Sequence, residues 1–181
     1  MKIGFQIDDI HVLNLKTDST LPIILESQKR NNKNYYFLPS SLTHKNNSVY
    51  AEIREIYFKD NKIEKYILGK KQSVCLESLD YIFIRQDPPY NMEYISSMHL
   101  LEQVKGSTRF INHPNGIRNA PEKISMLKFK KIIPPTIITR SKKEVDSFVK
   151  KHGKSVIKPL YGNGGDSIFL LSKKDENYNQ I

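Results

Sequence analysis

Apolar and polar residues alternate in several short stretches along the first two thirds of the chain. Ile3, Phe5 and Ile7 alternate with polar or small residues and predict a buried first strand. Comparable runs predict further strands at residues 35–38, 80–85 and 109–112. Residues 49–58 and 62–68 also alternate and are separated by a polar turn, which predicts a β-hairpin or meander.

Two other stretches repeat their apolar residues at the spacing of a helix, at residues 20–30 and 94–105. Asp18 or Ser19 can cap the first of these helices, and Pro22 falls in its first turn, where no helical hydrogen bond is lost. Strands and helices therefore alternate, which predicts an α/β fold with an open, mostly parallel sheet covered by helices.

Such sheets bind ligands beyond the carboxyl ends of their strands. Two predicted strands end in polar segments of this kind, at residues 85–90 and at residues 112–114. The second of these segments is also typical of a structural turn before Pro114.

The last third of the chain predicts a second set of elements. Helices are expected from about residue 121 to 129 and from 142 to 151, the latter with Ser141 and Glu144 forming a capping box. Strands are expected at residues 136–139, 155–159 and 167–171. The last two strands enclose a glycine-rich loop.

Composition narrows the classes of protein to which the chain can belong. The 181 residues carry a formal charge of +10, but the lysines are dispersed, and the densest cluster, at residues 128–131, matches no RNA-binding signature. The chain has one cysteine, Cys75, for which the sequence offers no partner of the kind that activates a cysteine nucleophile, so we expect it to be inert. The chain has no apolar run long enough to span a bilayer. We therefore expect a cytoplasmic protein that binds neither nucleic acid nor membrane, although a basic nucleic-acid-binding surface remains the alternative.

Chemistry is concentrated in the glycine-rich loop, where Gly162, Gly164 and Gly165 remove three β-carbons in four residues. Backbone N–H groups in such a loop can approach an anion closely, with Lys158 before it and Ser167 after it as additional donors. The pattern lacks the Gly-Lys-Ser/Thr ending of a Walker A loop and the third glycine of a dinucleotide fingerprint. It predicts either a cover for a triphosphate or an ordinary hairpin turn.

The residues around the loop resemble a known family. The order of Lys123, a strand, a capped helix, residues 156–159 and the loop is similar to the start of an ATP-grasp domain. Further segments along the chain resemble those of bacterial glutathione synthetase. They are residues 16–20, 85–95, 111–118 with 122–123, and 158–169.

This resemblance implies a pre-ATP-grasp domain at residues 1–121 and the beginning of an ATP-grasp domain at residues 122–181. It implies a ligase that uses ATP to join γ-glutamylcysteine to glycine through an acyl phosphate. The residues expected to bind ATP are Lys123, Lys158, Gly162, Gly164, Gly165 and Ser167. The residues expected to bind the dipeptide are Arg85, Asp18 and Ser19. Two alternatives stay open: an ion pair between Arg85 and Asp87, and a helix-capping role alone for Asp18 and Ser19.

The family also implies Mg²⁺ or Mn²⁺, whose ligands are expected beyond residue 181, so that no metal ligand is assigned in this chain. We therefore expect little ligase turnover from the chain alone. The chain would then be a fragment, a truncated reading frame or half of a split enzyme. A homo-oligomer is a further alternative. The alternatives are a non-catalytic docking module and an ATP-grasp ligase for another peptide or amino acid. Residues 169–171 are expected to be exposed, which predicts a marginally stable last third.

Overall fold

A computed structural model describes residues 1–162, 164–174 and 178 of the chain. The chain divides into two compact units. The first unit contains residues 1–87 and 92–119, and the second contains residues 88–91 and the chain from residue 120 onward. The domain boundary between residues 121 and 122 stays a prediction from sequence.

The first unit contains eight strands and three helices. They are β1 (Lys2–Gln6), α1 (Thr20–Lys29), β2 (Lys33–Phe37), β3 (Thr43–Lys45), β4 (Ser48–Phe58), β5 (Tyr66–Leu68), β6 (Gln72–Cys75), β7 (Tyr81–Ile84), α2 (Met92–Leu101), β8 (Arg109–Ile111) and α3 (Pro114–Asn119).

The strands form one sheet whose main order is β3-β4-β2-β1-β7-β8. The strands β2, β1, β7 and β8 run parallel to one another, and Phe5 of β1 pairs with Tyr36 of β2 and Phe83 of β7. The long strand β4 runs antiparallel to β2 and also pairs with β3, β5 and β6. The predicted α/β class with a mostly parallel sheet is therefore confirmed, with an antiparallel extension at one side.

One face of β1 supplies the main core. Ile3, Phe5 and Ile7 pack with Leu21 and Ile24 of α1, and all five side chains are buried. Their spacing explains the element types, because alternate residues of a strand share one face and residues three apart share one side of a helix. The predicted hairpin is also confirmed: Ile56 of β4 pairs with Leu68 of β5.

The other face of β1 is closely packed around Gly4. A β-carbon at this position would lie 2.8 Å from Leu79 Cδ1 and 3.2 Å from Phe37 Cε1, and both of those side chains are buried. Glycine therefore lets the two side chains reach the strand.

We expect Gly4→Ala to destabilise the first unit by about 1–3 kcal/mol, because the added methyl group overpacks the core. Urea unfolding followed by circular dichroism measures this change. Gly116→Ala is the control: it lies in α3, its added β-carbon has no atom within 4 Å, and it is expected to leave stability equal or higher. An unchanged urea midpoint for Gly4→Ala would show that Leu79 and Phe37 can move to accommodate the added methyl group.

The second unit contains two helices and a two-stranded sheet. They are α4 (Glu122–Ser125), α5 (Lys142–His152), β9 (Ser155–Ile157) and β10 (Phe169–Leu171), and a 3₁₀ turn, Met126–Phe129, follows α4. The strands β9 and β10 are antiparallel, and Leu170 pairs with Val156.

Two sequence predictions were wrong in this region, and one helix just before it was missed. Residues 136–139 are not a strand: they follow two prolines, and Ile137 and Ile138 are exposed without a partner strand among the described residues. The predicted capping box at Ser141 and Glu144 is absent, because the Ser141 side chain makes no capping hydrogen bond. No element was predicted from sequence for the residues of helix α3, although Pro114 stands in its first turn, where proline is favoured.

Apolar side chains of the second unit are mostly exposed. Phe169 and Leu170 are 45% and 55% exposed, as predicted, whereas Leu171 is buried at 3%. Among the described residues of this unit, Val149 and Leu171 are the buried apolar side chains. The second unit therefore has a much smaller core than the first.

The helices of both units are short, and the longest described helix, α5, has 11 residues. Within residues 1–162, 164–174 and 178, no helix has the length and apolar character that crossing a membrane requires.

Candidate functional site

Arg85 directly follows β7 at the carboxyl end of the parallel sheet, and its side chain is exposed. Its Nη2 donates a hydrogen bond to Ser19 Oγ at 2.6 Å, and its Nε donates to Thr20 Oγ1 at 3.1 Å. The structure therefore brings together Arg85 and Ser19, two of the residues that sequence reasoning assigned to the dipeptide. Sequence reasoning did not identify Thr20.

Asp18 has a different role at the same place. Its Oδ1 accepts hydrogen bonds from the backbone N–H groups of Thr20 at 2.8 Å and Leu21 at 2.9 Å. These contacts cap α1, since they satisfy amides that have no partner inside the helix. Ser19 makes no capping hydrogen bond. Of the two capping residues proposed from sequence, Asp18 therefore takes that role in this structure.

Asp87, two residues after Arg85, lies near other charged side chains. Partial burial raises the pKa of Asp87 above its usual value, the nearby charges of Asp8 and Asp18 raise it further, and Arg85 lowers it. No ion pair joins Arg85 to Asp87 within the part of the chain that the structure describes. The site thus presents a cationic fork beside anionic groups, an arrangement that can bind a molecule carrying both a carboxylate and an ammonium group.

The segment carrying Arg85 is attached to the end of β1. The Arg85 backbone N–H donates to the Gln6 carbonyl at 2.8 Å, and the Asp87 N–H donates to Asp8 Oδ2 at 2.8 Å. Between them, the fully buried Gln6 side chain donates through Nε2 to Gln86 Oε1 at 3.3 Å. These three contacts hold the Arg85 backbone on the most buried strand of the sheet.

The glycine-rich loop connects β9 to β10. Gly164 and Gly165 have φ angles of +62° and +82°, and Ser167 has a φ of +53°. Positive φ is available to glycine without strain, so the first two positions require the residue type that they have. A β-carbon at either glycine would have no atom within 4 Å, so the loop backbone is open to its surroundings there. Asn163 lies outside the described residues.

Both predicted lysines lie at this loop. Lys123, at the second position of α4, donates from Nζ to the Gly162 carbonyl at 2.6 Å. Lys158 directly follows β9 and is exposed. The structure therefore brings Lys123 to a loop 39 positions away in sequence, at the end where Lys158 also lies.

An aromatic pair next to the loop was not anticipated from sequence. The rings of Tyr90 and Tyr161 stack with centroids 6.1 Å apart and an interplanar angle of 21°. Both residues belong to the second unit, because residues 88–91 pack with it. The only sequence signal was an aromatic residue directly before the first loop glycine and another after Pro89.

The described residues offer no group of three or more His, Cys, Asp or Glu side chains that could hold a metal ion. Divalent cations such as Mg²⁺ need several oxygen ligands, of which one or two are protein carboxylates and others come from phosphates or water. The loop itself has Lys123 and Lys158 beside it, which make it cationic and suited to an anion.

Cys75 lies outside both sites. Its Sγ donates to Glu77 Oε2 at 2.6 Å, and this hydrogen bond raises the pKa of the thiol, with a smaller contribution from burial.

We expect slow alkylation of Cys75 by iodoacetamide at pH 8, because less thiolate is present than for a thiol of ordinary pKa. Glu77→Gln should accelerate alkylation, measured by mass spectrometry against a urea-unfolded control. Equal rates in the folded variant and the folded parent would show that the carboxylate does not restrain the thiol.

Comparison with known proteins gives two family matches. Residues 1–118 match the family model described as the prokaryotic glutathione synthetase N-terminal domain, and residues 122–181 match the prokaryotic glutathione synthetase ATP-grasp domain.

Individual relatives give the same result. The chain is 37% identical over 181 residues to a glutathione synthetase of Rhodopseudomonas palustris, covering 100% of this chain and 58% of the relative. It is 38% identical over 177 residues to one of Mesorhizobium japonicum, covering 98% and 56%. It is 36% identical over 182 residues to one of Buchnera aphidicola, covering 100% and 57%. The chain thus spans somewhat more than half the length of these relatives.

Proposed function

Because this chain belongs to the prokaryotic glutathione synthetase family, we propose that it supplies the dipeptide site and the phosphate-binding loop of an ATP-dependent ligase that joins γ-glutamylcysteine to glycine. The observation that carries the proposal is the contact of Lys123 with Gly162, since it gathers the predicted cationic groups at one glycine-rich loop.

The nucleotide phosphates would bind at this loop. Lys123 and Lys158 would neutralise charge along the triphosphate, and Ser167 would add a hydroxyl donor. Gly162, Gly164 and Gly165 would let the backbone approach the phosphates. Two of these glycines have positive φ and open space beside them, which supports this assignment.

The dipeptide would bind at Arg85. A guanidinium matches a carboxylate with two parallel hydrogen bonds, and the hydroxyl of Ser19 holds this group at the start of α1. The carboxylates of Asp8 and Asp87 nearby favour an ammonium group on the same ligand. γ-Glutamylcysteine carries both kinds of charge, which supports it as the ligand. Asp18 would contribute mainly by capping α1 and through its charge.

The reaction follows in two steps. An oxygen of the dipeptide's cysteinyl carboxylate attacks the γ-phosphorus of ATP. The bond between the γ-phosphorus and the oxygen that bridges it to the β-phosphate breaks, so that ADP is released and the dipeptide becomes an acyl phosphate. The glycine amine then attacks the acyl carbon, loses a proton, and displaces inorganic phosphate. The protein's part is to position the groups, neutralise charge and exclude water from the acyl phosphate.

The family also implies a divalent metal, Mg²⁺ or Mn²⁺, which would neutralise phosphate charge when bound. The described residues do not include a set of side chains that fits such an ion. No step above therefore depends on one, and the chain's own contribution rests on Lys123 and Lys158.

Binding of the non-hydrolysable analogue AMP-PNP tests the proposal. Isothermal titration of the chain should detect saturable binding that weakens with added salt, because charged contacts are screened. Turnover is tested on this chain joined to the part of the Rhodopseudomonas palustris relative that the match does not span. Phosphate release should then require both γ-glutamylcysteine and glycine.

The outcomes separate the alternatives. Binding of AMP-PNP without dipeptide-dependent phosphate release in the joined protein would favour a non-catalytic binding module. Phosphate release with a different peptide or amino acid would favour another ATP-grasp ligase. Absence of AMP-PNP binding in both proteins would overturn the proposal.

A further inference from the structure

We propose that Tyr90 and Tyr161 are positioning residues that couple the dipeptide site to the glycine-rich loop, so that a ligand at Arg85 changes nucleotide affinity. This inference rests on the proposed function and adds a route by which one substrate prepares the site for the other. Neither tyrosine was assigned a role by sequence reasoning. Both would act through the groups that they hold in place.

At the loop, the stack fixes the residue directly before the first glycine. Tyr161 packs its ring on Tyr90 with centroids 6.1 Å apart, although about half of the Tyr161 side chain is exposed. The next residue is Gly162, whose carbonyl accepts the hydrogen bond from Lys123. The aromatic contact and the lysine contact thus anchor adjacent residues at the same end of the loop. Movement of Tyr90 would therefore disturb the group that holds a phosphate-binding lysine.

At the dipeptide site, Tyr90 lies five residues after Arg85. Contacts of Arg85 with Ser19 and of the Asp87 N–H with Asp8 fix the beginning of this segment. Residues 88 and 89 are both prolines, whose rings fix φ and leave few free torsions. A ligand that pulls on Arg85 therefore acts on Tyr90 through a short and stiff stretch of chain, rather than through a flexible linker.

The thermodynamic consequence is reciprocal. If the dipeptide tightens binding of the nucleotide by a given factor, the nucleotide must tighten binding of the dipeptide by the same factor. Typical couplings correspond to about fivefold or more. We expect about fivefold here, because one aromatic contact links the two segments.

The experiment measures AMP-PNP affinity with and without saturating γ-glutamyl-α-aminobutyrate, a dipeptide without the oxidisable thiol. In the parent chain, the dissociation constant of AMP-PNP should fall about fivefold when the dipeptide is present. Tyr161→Ala should bring this ratio close to one, and Tyr161→Phe should restore it, since phenylalanine keeps the stacked ring. The reverse titration should give the same ratio.

Controls separate coupling from simple loss of fold. Tyr57→Ala removes a comparably exposed tyrosine from β4 in the first unit and should leave the ratio unchanged. Tyr90→Ala should have the effect of Tyr161→Ala, and the double variant should cause no further loss, because the two rings act as one contact. Circular dichroism spectra should match the parent for every variant used.

The results distinguish this inference from the proposed function. If both ligands bind to the parent chain with no mutual effect, or if Tyr161→Ala keeps the full ratio, the coupling is refuted while the ligand sites stand. If AMP-PNP binds neither to the parent chain nor to the joined protein, the proposed function and the coupling are both refuted.

Discussion

Replacing Lys123 with methionine should weaken AMP-PNP binding by about tenfold to a hundredfold, since a hydrogen bond to a charged group contributes about 1.5–3 kcal/mol. The ammonium group lies 2.6 Å from the Gly162 carbonyl, so the substitution removes an anchor of the glycine-rich loop together with the phosphate contact that we propose for this lysine. Isothermal titration at constant ionic strength measures the change. Methionine keeps the length and most of the apolar character of the lysine stem.

Lys128→Met is the matched control for this prediction. It removes the same charge from an exposed lysine in the turn Met126–Phe129, five residues further along the chain. We expect a change of less than about threefold, because exposed charges act only weakly at a distance in salt. If both variants lose AMP-PNP affinity equally, the effect of Lys123→Met is due to the change in net charge and not to the position of Lys123.

Lys158→Met should produce a loss of similar size, about tenfold or more, through a direct contact with phosphate. Unlike Lys123, Lys158 makes no hydrogen bond to the loop backbone among the described residues, so its removal should leave the loop unchanged in the absence of nucleotide. Hydrogen exchange of residues 164–168 without ligand can test this difference. We expect faster exchange for Lys123→Met and an unchanged rate for Lys158→Met.

Replacing Arg85 with alanine is the second large effect that we expect. Binding of γ-glutamyl-α-aminobutyrate should weaken by about tenfold to a hundredfold, because a charged hydrogen-bond donor to its carboxylate is lost. Arg85→Lys should recover only part of the affinity, since an ammonium group lacks the planar fork of a guanidinium. Titration of the dipeptide into each variant measures both changes.

Arg30→Ala serves as the control for Arg85. Arg30 directly follows the other end of α1, where it forms an exposed ion pair with Glu26. Arg30→Ala should therefore leave the dissociation constant of the dipeptide unchanged.

A second measurement needs no ligand: Arg85 lowers the pKa of Asp87, so Arg85→Ala should raise that pKa further. Carboxyl chemical shifts followed against pH detect this rise. If dipeptide affinity and the Asp87 titration both stay unchanged, Arg85 does not belong to the site.

Much of the first unit could be predicted from sequence because its signals are local. The alternation in residues 2–7 and the helical spacing in residues 20–30 correspond to β1 and α1 within a few residues. Asn31, with a φ of +59°, ends α1 as a residue type that tolerates this conformation. In such stretches one buried face is enough to determine the element, so neighbours along the chain carry the information.

The second unit was harder to predict, since its elements depend on partners. Residues 136–139 have the composition of a strand, but a strand requires another backbone to pair with. Ser141 and Glu144 have the sequence of a capping box, yet the Ser141 N–H donates to Thr139 Oγ1 and the start of the helix is arranged differently. In this unit, a short apolar run predicted a strand and a pair of cap residues predicted a capping box, and the structure has neither.

The sequence by itself determined which chemical groups this protein can use: a guanidinium at a strand end, two lysines and a run of glycines. Only the tertiary structure decided which of them meet. Lys123 reaches Gly162 across 39 positions, Arg85 reaches Ser19 across 66, and Tyr90 stacks on Tyr161. These contacts depend on how distant segments pack, whereas residue type and periodicity report only on neighbours along the chain.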